Sequence, residues 1–297
     1  MTASQFAQSA GWRGRPRRGV SGRALASLSA LAVALGAAFV LAPGVLAASA
    51  PGGGYAGQEA LITALRTAFV EYWGSGSRGY PPEMDRLVDY WTRYHVAKAV
   101  IAALLLTVLV ILGIRLWGAL LRAGRLTARR GAALALSGTL VTVLALFSAV
   151  VVMANIQGAV APFASLISML PLGTHDKQFT RTVGQVKQGL SGYPGTSGRT
   201  TPALEVMISD FALYHAALAA LAAAVAVILT VMSVVSWKRR ARTRSSERRT
   251  RHALGLAGGF SALLALAVIV LAVANLGTAM NPVPPLLAFF NAGAGGL

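Results

Sequence analysis

The stretch RYHVAKAV at residues 93–100 opens a long apolar run, and LYHAALAA at residues 213–220 opens another. In both places a Tyr-His pair stands where a polar segment meets a hydrophobic one, and the two pairs lie 120 residues apart. The chain has five long apolar segments, at residues 24–42, 96–117, 132–154, 212–237 and 253–274. Each is long enough to cross a hydrocarbon layer about 30 Å thick as a helix. The sequence therefore predicts an all-α integral membrane protein with five transmembrane helices.

The composition excludes several classes of protein. Of the 297 residues, 55% are hydrophobic and only 12% are charged, whereas a soluble domain carries roughly 25% charged residues. Cysteine is absent, which excludes disulfides, Cys-ligated metals and thiol catalysis. The sequence also contains no phosphate-binding loop, dinucleotide fingerprint, nucleophile elbow or zinc-protease motif. We therefore predict no enzymatic activity, no catalytic residues and no metal site.

The charge of +18 is distributed unevenly along the chain. The N-terminus at residues 1–23 and the connections at 115–130 and 238–251 hold 18 of the 27 basic residues and one of the nine acidic residues. The intervening segments are nearly neutral. This alternation predicts a prokaryotic plasma-membrane protein with a cytoplasmic N-terminus and an extracytoplasmic C-terminus. It also favours contact of the arginines with anionic lipid head groups, and no binding of nucleic acid.

The first span, within residues 24–48, has two interpretations. Arginines, an apolar run and the small residues of VLAAS at 45–49 are typical of a secretory signal cleaved after Ala47. The apolar run is longer than the usual 7–15 residues of a signal core, which favours an uncleaved signal-anchor helix. Either outcome leaves the topology of the other four spans unchanged.

The rest of the chain contains an internal duplication. Residues 94–173 align with residues 214–293 without a gap, with 24 identities in 80 positions. We assign residues 49–173 to repeat 1 and residues 174–297 to repeat 2, each with an outer segment, an inward helix, a basic loop, an outward helix and an apolar outer segment. Because each repeat crosses the membrane twice, the two copies have parallel orientation. The last four spans are therefore predicted to form a four-helix bundle of two duplicated hairpins.

The duplication selects candidate functional residues at equal depth in both copies. They form a predicted outer polar ring: Tyr94, His95, Asn155, Tyr214, His215 and Asn275. The Tyr-His pairs are expected to form an interfacial collar, with each histidine hydrogen-bonded to a loop or to asparagine. The alternative is that His95 and His215 ligate one haem iron. Asn155 and Asn275 are expected to end the outward helices, or else to bridge to His or Tyr.

Two further groups of residues have competing interpretations. The apolar segments at 161–171 and 281–291 are too short to span a membrane, and are expected to be buried against the bundle, to lie along the interface, to dip back as re-entrant loops or to dock onto a partner. The acidic side chains of Glu83, Asp85 and Asp89 are expected to form ion pairs rather than bind a metal with His175 and Asp176.

No residue pattern specifies a reaction, and the function is therefore predicted by class. We expect a non-enzymatic interaction, assembly or scaffold component that presents its extracytoplasmic segments to a protein partner or to another copy of itself. The alternatives are a bis-histidine haem-binding electron carrier and a passive pore or transport component. A pore needs a polar stripe through the bundle, for which six hydroxyl side chains are available: Thr107, Thr139, Thr142, Ser148, Thr230 and Ser261.

Overall fold

The computed structural model describes residues 22–122, 127–193 and 201–292. Within these ranges the chain forms nine helices and no strand: α1 Gly22–Ala48, α2 Gln58–Ser75, α3 Pro82–Arg122, α4 Ala128–Val160, α5 Pro162–Ile167, α6 Lys177–Ser191, α7 Pro202–Arg242, α8 Arg248–Met280 and α9 Val283–Ala292. Five of them, α1, α3, α4, α7 and α8, are long and apolar enough to cross a membrane. The prediction of an all-α multi-pass membrane protein is confirmed. The predicted basic N-terminus up to residue 21 lies outside the described residues.

The helix boundaries follow the duplication. Helices α3 and α7 each have 41 residues and begin 120 residues apart, and α4 and α8 each have 33 residues with the same offset. Pro82 and Pro202 each occupy the first turn, where a missing N–H costs nothing. A helix of 41 residues is about 61 Å long, roughly twice the thickness of a hydrocarbon layer, so α3 and α7 extend well beyond any membrane.

The long helices pack as two hairpins, α3 with α4 and α7 with α8. Helix α1 packs along α3, and the hairpins meet through α4 and α7. Each hairpin has the same close contact near its basic end, where a tryptophan of the first helix lies over a glycine of the second: Trp117 over Gly138 and Trp237 over Gly258. The basic end of the molecule is defined here as the end of the long helices that contains these tryptophans. Closure of the hairpins into a parallel-repeat four-helix bundle stays a prediction.

Large apolar side chains point outward along the five long helices. Val33, Leu136 and Leu263, for example, are each at least 70% exposed in the isolated chain. Continuous apolar surface of this kind is unfavourable in water and favourable against lipid tails. The surface of the long helices thus agrees with a membrane-embedded protein.

The opposite end of the molecule is a small helical domain with its own hydrophobic core. This domain, here called the cap, consists of α2, α5, α6, α9 and the first turns of α3 and α7. Its fully buried side chains include the following aromatic and aliphatic residues: Leu65, Phe69, Tyr72, Met84, Phe163, Phe179, Leu204 and Phe290. Both short apolar segments, at 161–171 and 281–291, contribute to this core. Of their four interpretations, the structure agrees with burial, in the cap core rather than against the spans.

Tyr72 in the cap core has a hydroxyl without a hydrogen-bond partner in the described residues. Burial raises the pKa of Tyr72 to about 12, because the phenolate is disfavoured away from water. The pKa of tyrosine in the unfolded chain is about 10. The contribution of Tyr72 to the free energy of unfolding is therefore fully present below pH 10 and is lost as the pH rises toward 12. Tyr72→Phe should flatten this alkaline loss in thermal unfolding measured across that range. The exposed Tyr193→Phe serves as the control, and an unchanged pH profile for Tyr72→Phe would contradict the assignment.

The end of α1 is relevant to the two interpretations of the first span. Ala47 is fully buried and helical, and its carbonyl oxygen accepts a hydrogen bond of 3.3 Å from Arg93 Nε. A signal peptidase would need this segment in an extended, accessible form. The uncleaved signal-anchor stays a prediction.

Candidate functional site: the His–Asn pairs and the groove on the cap

Both histidines of the predicted polar ring pair with the asparagine of their own hairpin. His95 Nδ1 lies 3.0 Å from Asn155 Oδ1, and His215 Nδ1 lies 2.7 Å from Asn275 Oδ1. The sequence separation is 60 residues in each case. The same pair of residues therefore ties the two helices together in each copy of the repeat, on the side where the long helices enter the cap.

The hydrogen bonds of the asparagines define the tautomer of the histidines. Asn155 Nδ2 donates to the Val151 carbonyl at 2.7 Å, and Asn275 Nδ2 donates to the Leu271 carbonyl at 2.9 Å. The amide oxygen must therefore face the imidazole, and only a protonated Nδ1 can donate to it. A neutral imidazole in this pair thus carries its proton on Nδ1, which leaves Nε2 as an acceptor.

In repeat 1 this acceptor is also used. Ser165 Oγ lies 3.4 Å from His95 Nε2 and accepts a 3.0 Å hydrogen bond from Trp91 Nε1. Donors and acceptors are thereby matched along a chain from Trp91 through Ser165 and His95 to Asn155. Gly158 lies directly behind the imidazole, where a Cβ atom would approach three ring atoms to within 2.7–2.8 Å. Only glycine leaves space for His95 in this position.

Repeat 2 lacks this extension of the hydrogen-bond chain. Pro285 stands at the place of Ser165 and Phe211 at the place of Trp91, and neither side chain can hydrogen-bond to His215. The described residues provide no hydrogen bond to His215 Nε2, although Phe211 and Tyr214 pack against the ring, with centroids 4.6 and 5.5 Å away. The two copies thus share the His–Asn pair and differ in the side chains that surround the second ring nitrogen.

The other predicted ring residues have different partners. The Tyr94 ring stacks on Trp91 with centroids 5.1 Å apart, and its hydroxyl oxygen accepts a hydrogen bond from Lys98 Nζ at 3.5 Å. In repeat 2, the backbone carbonyl of Tyr214 accepts from Gln157 Nε2 at 3.1 Å. The expectation that Asn155 and Asn275 end their helices is wrong. α4 continues to Val160 and α8 to Met280, because the amide groups bond within the hairpin and do not cap it.

Burial shows what the His–Asn pairs can do. Asn155 is 6% exposed and Asn275 is 9% exposed, so neither amide is available to a partner protein. Paired buried polar groups of this kind fix the register of neighbouring helices, since breaking one leaves the other unsatisfied. The pairs are therefore structural contacts that hold the two helices of each hairpin together.

Two polar residues outside the predicted ring, the buried Gln157 and the half-buried Asp210, connect α7 to α4 and to α5. Gln157, only 4% exposed, bonds from α4 to the α7 backbone, and Asp210 Oδ2 accepts from the Ala164 N–H of α5 at 2.7 Å. The alignment of the repeats does not select either residue, because Gln157 faces Gly277 and Asp210 faces Tyr90. The one signal in the sequence is a lone amide or carboxylate beside an apolar run.

Several residues of both alternative functions already form other hydrogen bonds, and both alternatives stay predictions. Ligation of haem by both histidines would require His95 Nε2 to give up Ser165. Four of the six hydroxyls required for a polar stripe, those of Thr107, Thr142, Ser148 and Thr230, instead donate to helix carbonyl oxygens at 2.8–3.0 Å.

The surface of the cap has a polar groove between α2 and α6. Its lining combines both charges with small and polar side chains: Arg66, Thr67, Val70, Glu71, Gly74, Asp176 and Gln178. Arg66 and Asp176 approach to 3.6 Å across it, and Asp176 also caps α6 by accepting from the Gln178 and Phe179 N–H groups. Trp73 Nε1 and Gln185 Oε1 bridge the same two helices at 3.0 Å. Two side-chain contacts therefore connect the helices that form the walls of the groove.

Two of the three acidic residues of α3 considered for a metal site form the expected ion pairs, whereas Asp85 forms no ion pair or side-chain hydrogen bond with another described residue. Glu83 lies 3.0 Å from Arg86 and Asp89 lies 3.6 Å from Arg93. Within the described ranges no group of three His, Asp or Glu side chains is arranged to hold a metal ion.

No protein-family model, curated protein or solved structure matches this chain.

Proposed function

We propose that this chain is a non-enzymatic membrane assembly protein that presents the groove of its cap to a protein partner. The observation that supports this most directly is the contrast between the two candidate sites. The asparagines of the His–Asn pairs are buried and serve the hairpins, whereas the groove between α2 and α6 is open and lined by charged side chains on a packed core. Sites of recognition are commonly placed on a support of this kind.

The distribution of charge predicts how the protein is oriented in the membrane. The basic residues concentrate at the basic end of the long helices, and by the positive-inside rule that end is cytoplasmic. The cap then lies outside the plasma membrane of a prokaryotic cell, where its groove meets extracytoplasmic proteins or the cap of another copy. The charged lining at Arg66, Glu71 and Asp176 suits a partner segment that carries both charges.

A photo-cross-linking amino acid placed at defined positions in the full-length chain tests this proposal in cells. Thr67 and Gln178 line the groove, while Gln58 and Ser191 are exposed at the ends of the same helices and provide matched controls. We expect adducts of one defined mass at Thr67 and Gln178 only, and their loss when Glu71→Lys is added. An adduct of two copies would identify the partner as a second chain.

Two results would overturn the proposal. One is equal cross-linking at all four positions, or none at any of them. The other is a haem absorption band in the purified protein that disappears in both His95→Ala and His215→Ala, which would instead establish the electron-carrier alternative.

A further inference from the structure

The basic end contains a cleft whose lining changes from charged to apolar along one direction. Arginine and polar side chains line one part, of ≈ 340 Å³: Arg240, Ser245, Arg248, Arg251 and His252. A neighbouring part, of ≈ 490 Å³, lies between the two hairpins and is lined mainly by apolar and small residues: Trp117, Leu120, Leu121, Thr127, Ala128, Gly131, Ala132, Arg249, His252, Ala253 and Leu256. His252 lines both parts, so the two parts meet at this side chain.

The change in chemistry follows one face of α8. Arg248, His252 and Leu256 are spaced four residues apart, so their side chains lie above one another along the helix. Over about 12 Å of helix this face runs from a cation through an imidazole to an aliphatic side chain. Leu256 is 75% exposed, so the apolar part of the cleft is open to the surroundings.

One arginine of the cationic part, Arg240, is held in place by packing against other residues. The Arg240 guanidinium lies 4.9 Å from the Trp237 ring and packs so closely on α8 that a Cβ atom on Gly255 would come within 2.7 Å of Nη1. The ion pairs found among the described residues lie in or beside the cap, and none of their carboxylates pairs with Arg240, Arg248 or Arg251. The cluster therefore retains its positive charge for a ligand.

We propose that this cleft binds one anionic phospholipid of the adjacent leaflet. The phosphate lies among Arg240, Arg248 and Arg251, and one acyl chain lies between the hairpins against Trp117 and Leu256. Basic pockets between transmembrane helices are suited to phosphate head groups, and tryptophan is favoured at this depth of the membrane. A protein partner fits less well, because the apolar part of the cleft faces the lipid. The inference requires only membrane insertion and is independent of the partner proposed for the cap.

The test measures retention of phosphatidylglycerol, compared with phosphatidylcholine, by the full-length protein in mild detergent, using native mass spectrometry. The cluster variant Arg240→Gln/Arg248→Gln/Arg251→Gln should bind phosphatidylglycerol about a hundredfold more weakly, since each arginine contributes about 1 kcal/mol to such contacts. The control variant Arg239→Gln/Arg242→Gln/Arg244→Gln removes the same charge from the same connection, outside the cleft, and should change binding less than threefold.

Two further variants distinguish a lipid site from a non-specific basic surface and from a plain anion site. Ala132→Phe fills the apolar part and should weaken lipid binding without changing the charge. Arg248→Gln alone, at an exposed position, should give about a fivefold loss and covers the case in which the cluster variant does not fold. Equal losses in the cluster and control variants would overturn the proposal in favour of a non-specific basic surface. Displacement of the lipid by millimolar inorganic phosphate, with no effect of Ala132→Phe, would overturn it in favour of a plain anion site.

Discussion

Gly158→Ala should displace His95 from its pocket and lower the free energy of unfolding by about 3 kcal/mol. The new Cβ atom would lie 2.7 Å from His95 Cε1, well inside van der Waals contact, so the ring must move away from it. Trp91 packs against the ring with centroids 4.8 Å apart, and Asn155 and Ser165 bond its two nitrogens. Displacement would leave the amide of Asn155 buried without its partner, which is the larger part of the cost.

Gly277→Ala is the matched control for this substitution. Gly277 is also a helical glycine near the end of its hairpin, but a Cβ atom there meets nothing within 4 Å. In a helix, Ala is favoured over Gly by roughly 1 kcal/mol, so the control should be neutral or slightly stabilising. Thermal unfolding in detergent measures both variants. The ¹⁵N chemical shifts of His95 report separately whether the Nδ1–H tautomer is lost. Equal unfolding temperatures for the two variants, with the His95 shifts unchanged, would contradict the description of the pair.

The five long apolar helices could be predicted from the sequence because they depend on local and repetitive features. Apolar length defines the five spans, and the Tyr-His and Asn identities select residues that do come together in each hairpin. The partners of these pairs could not be predicted in the same way. Ser165 follows Asn155 by ten residues and reaches His95 only because α5 folds back over the hairpin, and that contact has no counterpart in repeat 2.

The cap is harder to predict, because glycine, serine and proline clusters give its segments the composition of adaptable loops. The helical signal is nevertheless present in α6, where Phe179, Val183, Val186 and Leu190 recur at intervals of three and four residues and are all buried. The glycine-rich segment at residues 76–81 only connects α2 to α3. Periodicity in a short polar segment is therefore the more informative signal, and composition the less informative one.

The cap core provides the second large expected effect, through two adjacent phenylalanines of α9. Phe290 is fully buried in the core, whereas Phe289 is only partly buried beside it. Phe290→Ala removes a whole ring and leaves a cavity, for which a loss of about 3–5 kcal/mol is expected. Phe289→Ala changes the same residue type one position earlier and should cost about 1 kcal/mol, because solvent or lipid already reaches the site.

The helices that lose protection from hydrogen exchange in Phe290→Ala distinguish a cap that unfolds independently from one that unfolds together with the spans. If the cap has its own core, Phe290→Ala should raise amide hydrogen exchange in α2, α6 and α9 while the spans α4 and α8 retain their protection. The groove between α2 and α6 should then lose its shape, and cross-linking from Thr67 should decrease together with the protection of α2. Equal exchange in the two variants would mean that Phe290 is not a core residue. A uniform increase along all helices would mean that the cap and the spans unfold as one unit, so that the groove has no rigid support of its own.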